Sequence, residues 1–375
     1  MEKMLEFKGF KTVIQRTFLI VIAQVFTVFT ISANDHADSA SHDGGFNAGE
    51  MIMHHVLDAN EIHIADGIGF PLPIILYTEN GLDVFSYGQF IDEAHEPNLT
   101  YSSASTNNTY AYNHGHITQI SANGDELAHA GWGVNKHSFL DFSITKNVVG
   151  VFVILLIMFS LFLSIARSYT KGIGRTSAPK GSQSILEPFI LFIRDEVAKP
   201  SIGTGYQKFM PFLLSVFFFI WIGNLLGLIP FIGGLNVTGN IAVTMILALF
   251  TFVITTINGN KGYWMHIVLP PGVPAWLLPI MWPIEIIGVI SKPIVLMLRL
   301  FANITAGHII ILSFTGLIFI FYGTSGAGVA YGVSVGSVLF SVFMLSLELL
   351  VAFLQAYVFT LLSAIYFGQA VEDHH

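Results

Sequence analysis

From Phe209 to its C-terminus the chain runs for 167 residues with only seven charged side chains, Lys261, Glu285, Lys292, Arg299, Glu348, Glu372 and Asp373. A soluble domain carries about a quarter charged residues, so a segment this poor in charge has no way to dress a water-facing surface. It belongs in hydrocarbon. The whole chain agrees, with 53% hydrophobic residues, 11% charged and a mean hydropathy of +0.67.

Hydrophobic runs predict about five membrane-inserted helices, over 148–166, 209–231, 241–257, 283–322 and 328–367. The last two stretches would each measure about 60 Å as a helix, twice the roughly 30 Å of a hydrocarbon core. Each either bends into two spans or is one long helix, tilted or kinked. Pro293 is the only proline inside either and no polar loop divides them, which favours long tilted helices. Pro270, Pro271, Pro274 and Pro279 interrupt any helix before Trp282. Gly328, Gly332 and Gly336 recur every four residues and read as a close-packing stripe. The fold expected is an all-α integral membrane protein with a small N-terminal extracytoplasmic domain.

That domain is set apart by charge. Residues 34–146 hold fifteen acidic and two basic side chains and face water. Before them, Lys3, Lys8, Lys11 and Arg16 precede a short apolar run ending at Ile31-Ser32-Ala33, which resembles a secretory signal; an uncleaved anchor is the alternative. Both place Asn34 onward outside the cytoplasm. The division is therefore 1–33 signal peptide, 34–140 acidic His-rich extracytoplasmic domain, and 141–375 membrane domain. Short runs near 71–77 and 83–91 with Gly and Asn turns suggest strands in the middle part. Its histidines, among them His36, His42, His54, His55, His114 and His116, match no metal-ligand frame and read as solvated. After the first span, Arg167, Lys171, Arg175, Lys180, Arg194, Lys199 and Lys208 mark a cytoplasmic loop by the positive-inside rule. Leu186, Phe189, Ile190 and Ile193 within it predict a short helix at the membrane surface. Five crossings then leave His374 and His375 in the cytoplasm.

Chemistry must reside in the few polar groups of the spans. Arg299 lies among Leu298 and Leu300 and stays protonated at any relevant pH, so it cannot shed its charge to escape burial. Mid-membrane it costs about 2.5 to 3.5 kcal/mol on insertion scales, and it needs a counter-ion, such as Glu285 or Glu348, or water. At 100° per residue, Glu285, Lys292, Arg299 and Asn303 share one helix face within about 40°, and His308 points the opposite way. On the last stretch Glu348, Gln355 and Tyr366 fall within about 20° of one another. His308 and Glu348 can take up and release protons and Arg299 cannot, a pattern that suits a proton relay beside a permanent cation; a packing role for His308 is the bland alternative.

Ser291-Lys292-Pro293, Leu298-Arg299-Leu300-Phe301-Ala302-Asn303 and Ala306-Gly307-His308 resemble the signature of subunit a of F-type ATP synthases. Pro211 to Pro230, containing Asn224-Leu225-Leu226-Gly227-Leu228-Ile229-Pro230, is similar to the family's second span, and Leu354 to Phe359 resembles its final helix. The likeness covers about residues 145–370. It implies that Arg299 is the stator arginine facing a ring of c subunits, with Gln355 close by and Asn303 one turn on. It also implies that Glu285, His308 and Glu348 line aqueous half-channels, while Lys292, Asn224 and Tyr366 are structural or secondary. His308 and Glu348 present the acid–histidine pair in the order of mitochondrial members. Partners implied are the c ring, the b subunits of the peripheral stalk, other synthase subunits, protons and lipid. The placement implied is multi-pass in a bacterial inner membrane, with the N-terminal domain periplasmic and the C-terminus cytoplasmic. The acidic domain departs from the family pattern; a cap near the outer channel mouth, raising local proton concentration by its field, is the expectation.

Other classes fit less well. A formal charge of −8 argues against nucleic acid as partner, and zero cysteines leave no thiolate chemistry. No G-x-x-x-x-G-K-[ST] loop occurs, so nucleotide chemistry is expected on partner subunits, and no cofactor or metal is implied. A secondary transporter with its own substrate site would show paired repeats with broken helices, and none is visible.

Overall fold

The computed structural model describes residues 58–65, 68–90, 100–113, 116–121, 124–131, 133–135, 137–172, 181–229, 235–269 and 274–372. The signal-like segment 1–33, His36, His42, His54, His55, His114, Pro270, Pro271, His374 and His375 lie outside these residues.

The acidic region folds as strands. A two-stranded pair, β1 (Glu61–Ala65) and β2 (Ile68–Pro71), precedes a seven-stranded sheet. The latter is built from β3 (Pro73–Thr78), β4 (Gly81–Ser86), β5 (Thr100–Ser102), β6 (Thr109–Asn113), β7 (His116–Ile120), β8 (Glu126–Ala130) and β9 (Ser138–Asp141), in the order β4-β3-β9-β8-β7-β6-β5. Only the β8–β9 pairing in this sheet is parallel. Alternation along β3 sends Ile74 and Leu76 inward, and they join Phe85, Phe90, Tyr110, Ile117 and Phe139 in one core.

The sheet curls until its two edges meet. Phe85 on β4 lies 4.5 Å from Tyr101 on β5, ring to ring. Beside them the fully buried carboxylate of Asp83 accepts hydrogen bonds from the hydroxyls of Ser103, Ser105, Thr106 and Tyr110. Burial alone would favour the neutral acid, yet these hydroxyls outweigh it and hold the Asp83 carboxyl below the ordinary carboxylate range. The edges are thus stapled by one charge.

Among the described residues, five helices are long and apolar enough to cross a membrane. α1 (Lys146–Thr170) begins directly under the sheet, its N-cap Thr145 accepting from the Val148 amide. α2 (Ser182–Phe192) continues into a π-helical turn (Ile193–Ala198) and the four-residue α3 (Lys199–Ile202). Leu186, Phe189 and Ile190 pack on the helical core, and Ile193 is fully buried, as their spacing predicts. On the exposed side of the π turn, Arg194 and Lys199 hold the Asp195 carboxyl well below its usual range.

α4 (Met210–Gly227) is the centre of the helical body. Phe217 and Phe218 are buried, packed with Ile154 and Met158 of α1 and with the later helices. α5 (Ile241–Asn258) and α6 (Lys261–Val268) are each opened by an asparagine, Asn240 and Asn260, whose side chain accepts from an amide of the first turn. α7 (Leu278–Ser325) and α8 (Ala327–Val371) contain 48 and 45 residues. At 1.5 Å per residue these are about 72 Å and 68 Å long, so each apolar stretch is one helix and not two spans. Gly326 alone joins them at φ +80°, a backbone conformation that a side chain resists.

Two expectations need correction. The prolines do not hold off the helix until Trp282: α7 starts at Leu278, with Pro279 in its first turn, where a missing N–H leaves nothing unsatisfied. The Gly328, Gly332 and Gly336 stripe does not pack within the described residues, since a side chain built at any of the three meets open space. The stripe that packs is Ala352, Ala356, Thr360, Ala364 and Gly368, all buried. Small residues permit close approach but do not choose a partner.

Candidate functional site

α7 and α8 run antiparallel, and three contacts fix their register. The rings of Phe314 and Phe340 lie 4.1 Å apart. His308 Nδ1 sits 2.9 Å from Glu348 Oε1. Lys292 Nζ donates to Gln369 Oε1 at 3.0 Å and stands 5.1 Å from the Tyr366 ring centroid, a cation–π distance. Along α7, Arg299 falls between the last two pairings.

The His308–Glu348 pair is enclosed. Glu348 is 5% exposed, and its carboxylate rests on Gly307, where an added Cβ would stand 2.8 Å from Oε1. The imidazole is close enough for an ion pair but poorly aligned for a hydrogen bond, and neither carboxylate oxygen receives any other donor.

Arg299 has the opposite setting. Leu296 and Leu300 on either side of it are buried in the helical core, and Arg299 itself is on the open side of α7 with Leu298 and Asn303. Among the described residues it has no ion pair or hydrogen bond. Of the counter-ions considered for it, Glu348 is taken by His308, and Glu285 makes no ion pair with it among the described residues. An unpaired guanidinium midway along an apolar helix needs a counter-ion or water beyond the described residues.

Asn224 of α4 holds the backbone of α8, donating to the Ala352 carbonyl at 3.1 Å and accepting from the Thr238 hydroxyl. Gln355, one turn further, is 8% exposed. The structure therefore joins His308 to Glu348, Lys292 to Tyr366, and Asn224 to the α8 turn before Gln355. Arg299 and Asn303 stay apart on the open face. Sequence reasoning missed Thr238 and Gln369, and named Gly307 only as part of the motif with His308. Gln369 was within reach, lying one helical turn from Tyr366 on the same face.

Residues 148–368 match the family described as ATP synthase A chain, and residues 51–142 match a domain of unknown function, DUF8433. The chain is 39% identical to the ATP synthase subunit a of Chlorobium phaeobacteroides (strain BS1), over 91% of this chain and 81% of the relative. It is 44% identical to the ATP synthase subunit a of Chloroherpeton thalassium, over 62% of this chain and 69% of that protein. With the ATP synthase subunit a of Myxococcus xanthus the identity is 45%, over 63% of this chain and 75% of the relative.

Proposed function

The chain belongs to the ATP synthase A chain family, and from that membership we propose that it is the proton-carrying stator subunit of an F-type ATP synthase, with Arg299 as the charge against which the rotor works. The observation that carries the reading is the guanidinium on the open face of α7, which among the described residues pairs with neither Glu285 nor Glu348. A ring of c subunits supplies the missing carboxylates, one at a time. Helices of about 70 Å fit a roughly 30 Å hydrocarbon layer only when strongly slanted, which suits two helices lying along a rotor.

A proton arriving from the outer side reaches the His308–Glu348 pair and passes to a rotor carboxylate. The protonated, neutral site can enter lipid, because the penalty for an unpaired charge has gone. Rotation brings it round to Arg299, whose positive field favours the ionised carboxylate and drives the proton off into a second aqueous path. Glu285, Lys292 and Tyr366 lie on that side. Arg299 also repels any proton passing straight from one path to the other. Each charge that moves through 100 mV supplies about 2.3 kcal/mol, so several are needed per ATP. An imidazole in the path favours protons over sodium ions, since it binds the first and has no affinity for the second.

In this reading the subunit sits in a bacterial inner membrane behind a signal segment, with the β domain periplasmic, the C-terminus cytoplasmic, and the b subunits anchoring it against rotation. ATP forms on partner subunits. The test is Arg299→Ala in the whole complex, scored for ATP-driven proton pumping in vesicles and for co-purification with the ring. Loss of pumping from an assembled complex is expected; intact pumping overturns the reading. If Ala prevents assembly, Arg299→Gln keeps the size and hydrogen-bonding capacity without the charge, and it too is expected to be silent.

A further inference from the structure

The β domain meets the membrane body at a joint made of polar groups. The Lys146 amide donates to the Ala59 carbonyl at 2.8 Å, and the amides of Ala59 and Asn147 both donate to Asp58 Oδ1, at 3.0 and 3.2 Å. Asp58 thus closes the N-terminus of α1 from the domain side. Below this joint lie two buried amides that are only half served. Asn147 is 3% exposed and its Oδ1 has no partner among the described residues; Asn236 is 4% exposed and its Nδ2 has none among them. Such orphaned groups are costly in a protein interior and call for an explanation.

The two are neighbours by packing. Asn147 and Gly150 are one turn apart on the same face of α1, and Gly150 abuts Leu235 and Val237, the residues that flank Asn236. Asn236 Oδ1 is fixed by the Gly239 amide at 3.0 Å, so its Nδ2 is the end left over. Next comes Gly227, where an added Cβ would stand 3.9 Å from Asn236 Cα and 3.6 Å from His308 Nε2. Gly227 therefore brings the Asn236 backbone and the His308 ring together, while the Asn236 side chain folds over Gly239. Asp58, Asn147, Asn236, His308 and Glu348 form one succession from the β domain to the buried acid–histidine pair.

We propose that the β domain is the entrance of the outer proton path, which opens at Asp58 and is lined through the helical body by Asn147 and Asn236 until it meets His308. This rests on the stator reading and extends it to residues outside the helices that face the rotor. The chemistry suits passage. A primary amide accepts from and donates to water but does not titrate near neutrality, so it guides an excess proton along water without retaining it. Among the groups named here, titratable ones stand at the ends, Asp58 with the buried Lys146 at one and His308 with Glu348 at the other. The proton leaves a hydronium ion for the imidazole or carboxylate of the His308–Glu348 pair, and neutral water remains. Burial pushes the Asp58 carboxyl up from its ordinary range, which suits a group that hands protons on.

The chain has no cysteine, so single thiols can be placed cleanly. Asn147→Cys and Asn236→Cys are made in an otherwise cysteine-free complex, with Leu156→Cys, on the open side of α1, as the control. Silver ion is the probe and ATP-driven pumping the readout. Silver is expected to abolish pumping in the first two variants and to leave the control unchanged; pumping indifferent to silver at both asparagine positions overturns the path. If a cysteine variant does not assemble, Ser and Leu are compared at the same position. Ser is expected to pump and Leu to be slowed about a hundredfold, as when a proton-transfer step is lost; equal rates overturn the path. Silver-insensitive pumping beside a silent Arg299→Ala sinks the path alone, whereas pumping by Arg299→Ala sinks the stator reading beneath it.

Discussion

Asp83 and Glu348 are both buried carboxylates, one in the β domain and one in the helical body, and their surroundings give them opposite lives. Asp83 is surrounded by hydroxyl donors and cannot afford to lose its charge without losing the closure of the sheet. Glu348 has an imidazole at 2.9 Å and, among the described residues, no aligned donor to hold its charge. Burial alone does not say whether an acid is structural or working. The number of donors aimed at it does.

That contrast breaks most sharply at Glu348. Glu348→Gln keeps the volume above Gly307 but cannot titrate, and ATP-driven pumping by the assembled complex is expected to fall about a hundredfold or more, the usual worth of a proton-transfer group. Pumping at the normal rate would put Glu348 in the same class as Asp83.

The converse substitution, Asp83→Asn, should spare the spans and loosen the β domain by about 3 kcal/mol, the scale of a hydrogen bond to a charged acceptor left unmade. Hydrogen exchange at the β4 and β6 amides is the measurement, and unchanged protection would deny the staple. The pH dependence follows from the sign of the shift. Because the folded carboxyl lies below its ordinary value of 3.8, its contribution is fully present above that value and is lost as the pH falls through the lower folded one. Between pH 5 and pH 8, spanned here only as a flat region of about three units, Asp83 should confer no pH dependence at all.

A smaller effect sharpens the comparison at the other end of α7. Gln369→Leu removes the acceptor of Lys292 but leaves the Tyr366 ring beneath it, so assembly should persist and pumping should fall by no more than about threefold to tenfold, the worth of roughly 1 kcal/mol. A complete loss would move Gln369 from positioning Lys292 to the proton path itself.

Much of the helical body was legible because its signals are local. Apolarity over twenty residues marks a span wherever it occurs, and the boundaries read near 148, 241 and 328 lie within two residues of helix starts at Lys146, Ile241 and Ala327. Arg299 stood out for the same reason, a charge that nothing in its own sequence neighbourhood could neutralise. The first-span reading began two residues late and so left Lys146 and Asn147, now at the joint with the β domain, outside the helix. The glycine stripe misled because spacing reports what a face allows and not what it meets.

Sequence by itself determined the apolar character, the five candidate spans and the ionisable groups within them, since hydropathy and ionisability belong to single residues and short runs. Tertiary structure alone decided who faces whom. The meeting of His308 with Glu348, forty residues on, needed the one-glycine turn at Gly326 and an antiparallel register. The stapling of β4 to β5 needed Asp83 brought to hydroxyls more than twenty residues away. Those encounters depend on packing across distant segments, and no periodicity within a single segment encodes the partner at the far side.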